Sequence, residues 1–312
     1  MEYNFTQYIN DAIKNTAALF NNDTITTAKD MIPAMNPERT KDITKILDLS
    51  YSGEEDAKMD VYFPEGTVLD AGKVIAQAGT APRPVFVEIH GGAWYFGQKS
   101  SIEFEPFLIG LDKGFVCISI EYTMAPDGHY PLPVVQIRKA IAFIKAHASE
   151  WNIDAEKIAL WGGSAGAHLA ALATFSSQTN YLSEYVKPDS DFVNTLILWY
   201  GCFNYFIEKP LDDWIYANFF GEGYPAEKSA ELVLSNPGAH VTPHVPYTIL
   251  QHGLKDGLVP YQQSVYLHDV IKNIAGEAKV TLDLVPDCDH ADQKLFAKDN
   301  VEKMFENIPF YP

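Results

Sequence analysis

A chain of 312 residues, 47% of them apolar, is long enough to bury a large core as one domain with insertions. Its 23 basic and 41 acidic residues give a net charge of −18, which argues against nucleic acid, polyphosphate or anionic lipid as partners. Three scattered cysteines, Cys117, Cys202 and Cys288, suit neither a disulfide framework nor a thiolate metal cluster, so a reducing compartment is expected.

In chain order, residues 1–45 are polar with weak helical periodicity and read as an amino-terminal arm ahead of a catalytic domain over 46–312. The start MEYNFTQYINDAIKN lacks a basic segment followed by an apolar one, and no run reaches the roughly 18 apolar residues of a membrane span. A cytoplasmic protein without a membrane span is therefore expected. From Ile43 to Phe63 two β-like runs flank the turn-rich SGEED and predict a hairpin at a sheet edge. The Gly/Ala-rich stretch from Gly66 to Ala81 predicts a loop. Six short apolar runs follow: PVFVEIH (84–90), FVCISIEY (115–122), KIALW (157–161), VNTLILWY (193–200), YTILQH (247–252) and VTLDLVP (280–286). Near-continuous apolar strands separated by helical patterns predict an α/β fold, its mostly parallel central sheet covered by helices on both faces. Val134, Ile137, Ile141, Ile144 and Ala148 recur at steps of three and four and mark one crossover helix, with Pro131 and Pro133 suited to its first turn. The aromatic-rich stretch Phe203 to Phe220 interrupts the alternation, and a small cap insertion over 203–240 is expected above the carboxyl edge of the sheet.

The chemistry concentrates at Gly162-Gly163-Ser164-Ala165-Gly166, which directly follows the strand KIALW and precedes the small-residue helix run AHLAALATF. A sharp strand-to-helix turn lifts such a serine above the sheet, and its flanking glycines let neighbouring backbone approach. A bare Gly-x-Ser-x-Gly also marks ordinary turns; the strand before and the helix after favour a nucleophile. The helix start points backbone N–H groups at an anion forming beside Ser164. Upstream, His90-Gly91-Gly92-Ala93-Trp94 ends an apolar strand, where glycine-rich backbone can present N–H donors to an oxyanion. Gly92 and Ala93 are the candidates, with Ala165 as a third donor. His90 reads as a brace of that loop. A serine hydroxyl needs a histidine to take its proton and a carboxylate to orient the histidine, in the chain order serine, acid, histidine. YTILQHGLKDGLVP places Asp256 past a late strand, and VTLDLVPDCDHAD places His290 past the last one. Asp287, Asp289 and Asp292 compete for the acid but share the histidine's own loop.

HGGAW, EYTMAP (121–126), WGGSAGAHLAAL, HGLKDGLVP and DHAD occur in this order over roughly residues 57–310. In these motifs the chain resembles the α/β-hydrolase serine esterases of the hormone-sensitive-lipase-like group and their bacterial acetyl-esterase and feruloyl-esterase relatives. The resemblance implies an α/β-hydrolase fold, a triad of Ser164, Asp256 and His290, and an oxyanion hole from the HGG turn and Ala165. EYTMAP departs from the family's DYRLAP by replacing its arginine with Thr123. Ala93, where many relatives carry a third glycine, points to small or aromatic esters.

His240 and His244 have a zinc-like spacing, but Pro243 lies between them and no HExxH pattern is present. His168 reads as a packing residue one turn past Ser164, and His252 as a brace of the acid loop. The expected protein is thus a serine carboxylesterase working through an acyl-enzyme on a small-molecule ester, with neither cofactor nor metal. A peptidase or amidase of the same fold and a non-catalytic ligand-binding homologue are the competing readings. Self-association, the physiological ester and the purpose of the arm stay open.

Overall fold

The computed structural model describes residue 14 and residues 26–75, 80–207, 213–221 and 230–311. The predicted edge hairpin forms as β1 (Lys45–Ser50) and β2 (Lys58–Tyr62), paired antiparallel. The six apolar runs become β5 (Arg83–Ile89), β6 (Val116–Ile120), β7 (Ile153–Gly163), β8 (Thr195–Trp199), β9 (Tyr247–Gly253) and β10 (Val280–Val285). Together with the hairpin they form one eight-stranded sheet in the order β1-β2-β6-β5-β7-β8-β9-β10. In this sheet only the β1–β2 and β2–β6 pairs are antiparallel; β5 through β10 are parallel to one another. The stretch Gly66–Ala81, expected as a loop, instead contains β3 (Leu69–Asp70) and β4 (Lys73–Val74), and its residues 76–79 lie outside the described residues. Two residues per strand are too few to leave a period in the sequence.

Alternation along the strands sorts the core into two faces. Val85, Val87 and Ile89 of β5 face a cluster filled by the helices α1 (Leu132–Ala146), α2 (Ala165–Ser176) and α3 (Gln262–Ala275). Phe86, from the same strand, points the other way with Trp161, Trp199, Phe107 and, from helix α4 (Lys298–Glu306), Phe305. Every residue of α2 is buried. A helix apolar all round has no solvent face, and its alanines allow close approach to the sheet beneath the site. The chain has the α/β-hydrolase fold, with its parallel strands ending on the side that carries the serine turn.

Residues 26–44 precede the sheet. They run as a strap along residues 97–102, through Met35 N–H to Ser100 O (2.9 Å), Ile102 N–H to Pro33 O (2.9 Å) and an Ala34–Ser101 bridge. Of the expected cap over 203–240, residues 208–212 and 222–229 lie outside the described residues. The described part includes helix α5 (Asp213–Phe220), whose Phe219 ring packs tilted against Trp94, centroids 4.8 Å apart, while Asn218 Nδ2 donates to Ala93 O at 3.3 Å. Among the described residues no helix is long and apolar enough to cross a membrane.

Candidate active site

Ser164 stands between β7 and α2 with φ 53° and ψ −121°, a conformation sterically costly for a residue with a Cβ. Its neighbours show why the motif needs glycine. A Cβ on Gly162 would lie 2.3 Å from Gly166 O, and one on Gly166 would lie 2.1 Å from Ile89 O. Both obstacles are backbone, which cannot swing aside, so β7, β5 and α2 can meet only across bare glycines.

The turn aims Ser164 Oγ at His290 Nε2, 3.0 Å away, and His290 Nδ1 lies 2.8 Å from Asp256 Oδ2. An ionised carboxylate can only accept, so Nδ1 carries the ring proton and Nε2 is left to accept from the serine hydroxyl. Asp256 has a fully buried side chain and accepts four hydrogen bonds. Oδ2 takes His290 and His252 Nε2 (3.1 Å); Oδ1 takes the N–H groups of Leu258 (2.9 Å) and Val259 (2.7 Å). Burial by itself would raise this carboxyl, but hydrogen bonds from His252 and His290, with the His290 charge and the Val259 N–H, hold it well below the usual range.

The competing acids sit elsewhere. Asp289 Oδ1 accepts from Gly257 N–H and from the backbone of His290, Asp292 caps Lys294 N–H, and Asp287 pairs with Lys255. His252 turns out to be more than a brace of a loop. It is fully buried, accepts from Ser264 Oγ at Nδ1 (2.7 Å) and donates from Nε2 to both Asp256 and Val259 O (2.9 Å). Its placement at the end of β9, four residues before the acid, was the available signal. Tyr200, edge-on to the His290 ring at 4.9 Å, had none.

The HGG turn lies against the serine: a Cβ on Gly91 would stand 3.3 Å from Ser164 Cβ. Gly92 (φ 105°) and Ala93 (φ 51°) turn the chain back so that Tyr95 and Phe96 N–H close on Gly92 O, leaving a Cβ on Gly92 only 1.8 Å from Phe96 O. Among the described residues the N–H groups of Gly92 and Ala93 donate to no acceptor, and that of Ala165 is the first of α2, where the helix offers it none. His90 is fully buried with Nδ1 on Gly91 O (2.8 Å) and Nε2 on Glu121 Oε1 (3.0 Å). His168, also fully buried, hydrogen-bonds Ser235 O and Tyr205, and His240 hydrogen-bonds Leu234 O. Burial pushes the His168 imidazole down to about 4 and keeps it neutral. Among the described residues no three His, Cys, Asp or Glu side chains converge as metal ligands would.

Beside Ser164 opens a cavity of about 20 Å³, lined by Ala93, Trp94, Ala165, Cys202, Ile215 and Val259 among others. Apart from Ser164 its described lining is largely apolar, Trp94 included.

Residues 74–271 match the model of the BD-FAE family. The chain is 28% identical over 220 residues to the probable carboxylic ester hydrolase LipM of Mycobacterium tuberculosis, covering 68% of this chain and 50% of that protein. It is 25% identical to a kynurenine formamidase of Salmo salar over 260 residues, 81% of this chain and 77% of that one. Among solved structures, esterase B of Lactobacillus rhamnosis superposes with a TM-score of 0.71 at 18% identity, covering 97% of this chain and 95% of the other. The chain spans about half the length of the mycobacterial relatives it matches.

Proposed function

Since this chain belongs to the BD-FAE family, we propose that it is a serine carboxylesterase that cleaves esters of small acids through an acyl-enzyme. The observation that carries the reading is the unbroken line Ser164 Oγ, His290 Nε2, His290 Nδ1, Asp256 Oδ2 at the head of α2. His290 takes the Ser164 proton as Oγ forms a bond to the substrate carbonyl carbon. The carbonyl electrons move to its oxygen, which the N–H groups of Gly92, Ala93 and Ala165 receive. Collapse breaks the bond to the alcohol oxygen, and His290 protonates that leaving group. Water, deprotonated by His290, then attacks the acyl carbon and returns Ser164. Asp256 stays ionised throughout and stabilises the imidazolium.

The cavity beside Ser164 supports a short acyl group. About 20 Å³ holds roughly one water molecule, or a methyl of similar size. A space of that size supports an acetyl group better than a feruloyl group, so the acetyl class is the reading we favour. A formyl group is smaller still, and the likeness to a kynurenine formamidase makes hydrolysis of a formamide the second reading. Three buried thiols, all free, support a reducing and hence cytoplasmic setting.

The test is a panel of p-nitrophenyl acetate, butyrate and octanoate, a feruloyl ester and a formanilide, run on the wild type and on Ser164→Ala. The acetate is expected to have the highest kcat/KM, and the alanine variant to lose at least about a thousandfold in kcat. An optimum at octanoate or feruloyl would refute the small-acyl reading. An unimpaired Ser164→Ala variant would refute the mechanism.

A further inference from the structure

Glu121, just past the end of β6, has a side chain only 5% exposed, yet the sequence from Phe115 to Tyr130 contains no lysine or arginine to balance it. Its Oε1 accepts from His90 Nε2 at 3.0 Å. Its Oε2 meets Lys29 Nζ at 3.1 Å and Lys99 N–H at 3.4 Å. Lys29 comes from the strap, more than ninety residues upstream of Glu121 in the chain.

His90 makes this pairing matter to the site. Both of its ring nitrogens face acceptors, Gly91 O and Glu121, so the ring is doubly protonated. Burial works against that charge, but the hydrogen bond to Glu121 and its carboxylate charge raise the His90 imidazole on balance. A buried imidazolium stands only beside a fixed carboxylate. His90 also fills the space between the two ends of the donor loop. It bonds Gly91 O on one side, and on the other a Cβ on Gly97 would lie 2.8 Å from its Nδ1. The strap closes over the same place: the Gly97 Cβ position is 3.2 Å from Ile32 Cδ1, and Gln98 Nε2 donates to Ile32 O at 3.1 Å.

We propose that Lys29 is a positioning residue for ester hydrolysis: it fixes the Glu121 carboxylate, which holds His90, which sets the Gly91–Ala93 donor loop over Ser164. The inference rests on the esterase reading above. It assigns the segment ahead of the sheet a part in the active site, although none of its described residues lines the cavity beside Ser164. Without Lys29, Glu121 Oε2 keeps only the long contact to Lys99 N–H, and the carboxylate is free to rotate away from His90.

The experiment compares wild type, Lys29→Met and Lys29→Arg on p-nitrophenyl acetate and on the matching thionoester, whose sulfur gains little from N–H donors. Lys29→Met is expected to lower kcat on the oxygen ester about tenfold, with KM within about twofold, because a displaced oxyanion donor acts in the transition state. The thionoester should lose less, and Lys29→Arg should restore the oxygen-ester rate. A Lys29→Met enzyme with wild-type kcat would overturn the proposal. So would an equal loss on both esters, or a loss that arginine fails to restore, since either reports a general structural defect. Failure of the esterase reading is visible separately, as a wild type that neither turns over the ester nor reacts with a fluorophosphonate, and it would overturn both.

Discussion

Asp256 accepts four hydrogen bonds, and only one of them comes from His290. The donor that distinguishes this carboxylate is His252, whose Nε2–H is shared between Asp256 and Val259 O. Replacing His252 by leucine leaves Asp256 buried with one donor fewer, and therefore a stronger base toward His290. The acid limb of the kcat/KM profile should then move to higher pH and kcat should fall about tenfold, while His252→Gln, which keeps a donor, should recover most of the rate. A pH titration of kcat/KM for the three proteins checks this; an unmoved limb in His252→Leu would show that His252 only fills space. Ser164, Asp256 and His290 were all legible as residue types at the right places in the sequence. His252 was legible only as a brace, because that Nε2 reaches the carboxylate four residues on is a matter of how the acid loop folds back, which no spacing encodes.

At the scale of elements, the serine turn joins β7 to α2 at a cost. A non-glycine residue at φ 53° stores about 1–3 kcal/mol, held by the contacts around it. Ser164→Gly should therefore abolish activity and raise stability by about 1 kcal/mol, read as a higher midpoint in chemical denaturation. Gly166→Ala should do the reverse at the same turn. Its Cβ would meet Ile89 O at 2.1 Å, so α2 must move off β5, costing about 3 kcal/mol in the same measurement and most of the activity. Strands of five or more apolar residues announced themselves, and so did the crossover helix α1. The β3–β4 hairpin did not, for want of length. The strap did not either, because its partners at Ser100 and Ile102 lie about seventy residues away and its own sequence is polar and irregular.

For the molecule as a whole, buried titratable groups on the two faces of the sheet limit stability from opposite sides. On one, burial pushes the Glu88 carboxyl up to about 8, with Ser119 Oγ on Oε2 at 2.5 Å and no partner for Oε1 among the described residues. The folded state keeps this proton where the unfolded chain, ionising near the ordinary value of about 4.3, has released it. Stability is therefore lost as pH rises from about 4.3 toward about 8. His168, pushed down to about 4 on the other face, acts in the opposite sense: the unfolded chain takes up a proton below about 6.5 and the folded one does not, so stability is lost as pH falls. Glu88→Gln should unfold at a higher temperature than wild type at pH 8, with the difference shrinking at pH 5. Melting curves that stay parallel across that range would contradict the assignment.

By itself the sequence determined the parallel sheet, the strand-to-helix serine turn, the HGG loop and the order of acid and histidine, since apolar runs, glycine-bounded turns and chain order are local or one-dimensional properties. Tertiary structure alone decided how the acid is held, since the four donors that converge on Asp256, one of them the His290 ring, depend on how its loop folds back. It alone brought Lys29 to Glu121 and set Trp94, Cys202, Ile215 and Val259 around the space beside Ser164. Those outcomes depend on distances between side chains far apart in the chain, which the packing of the sheet fixes and the order of residues does not.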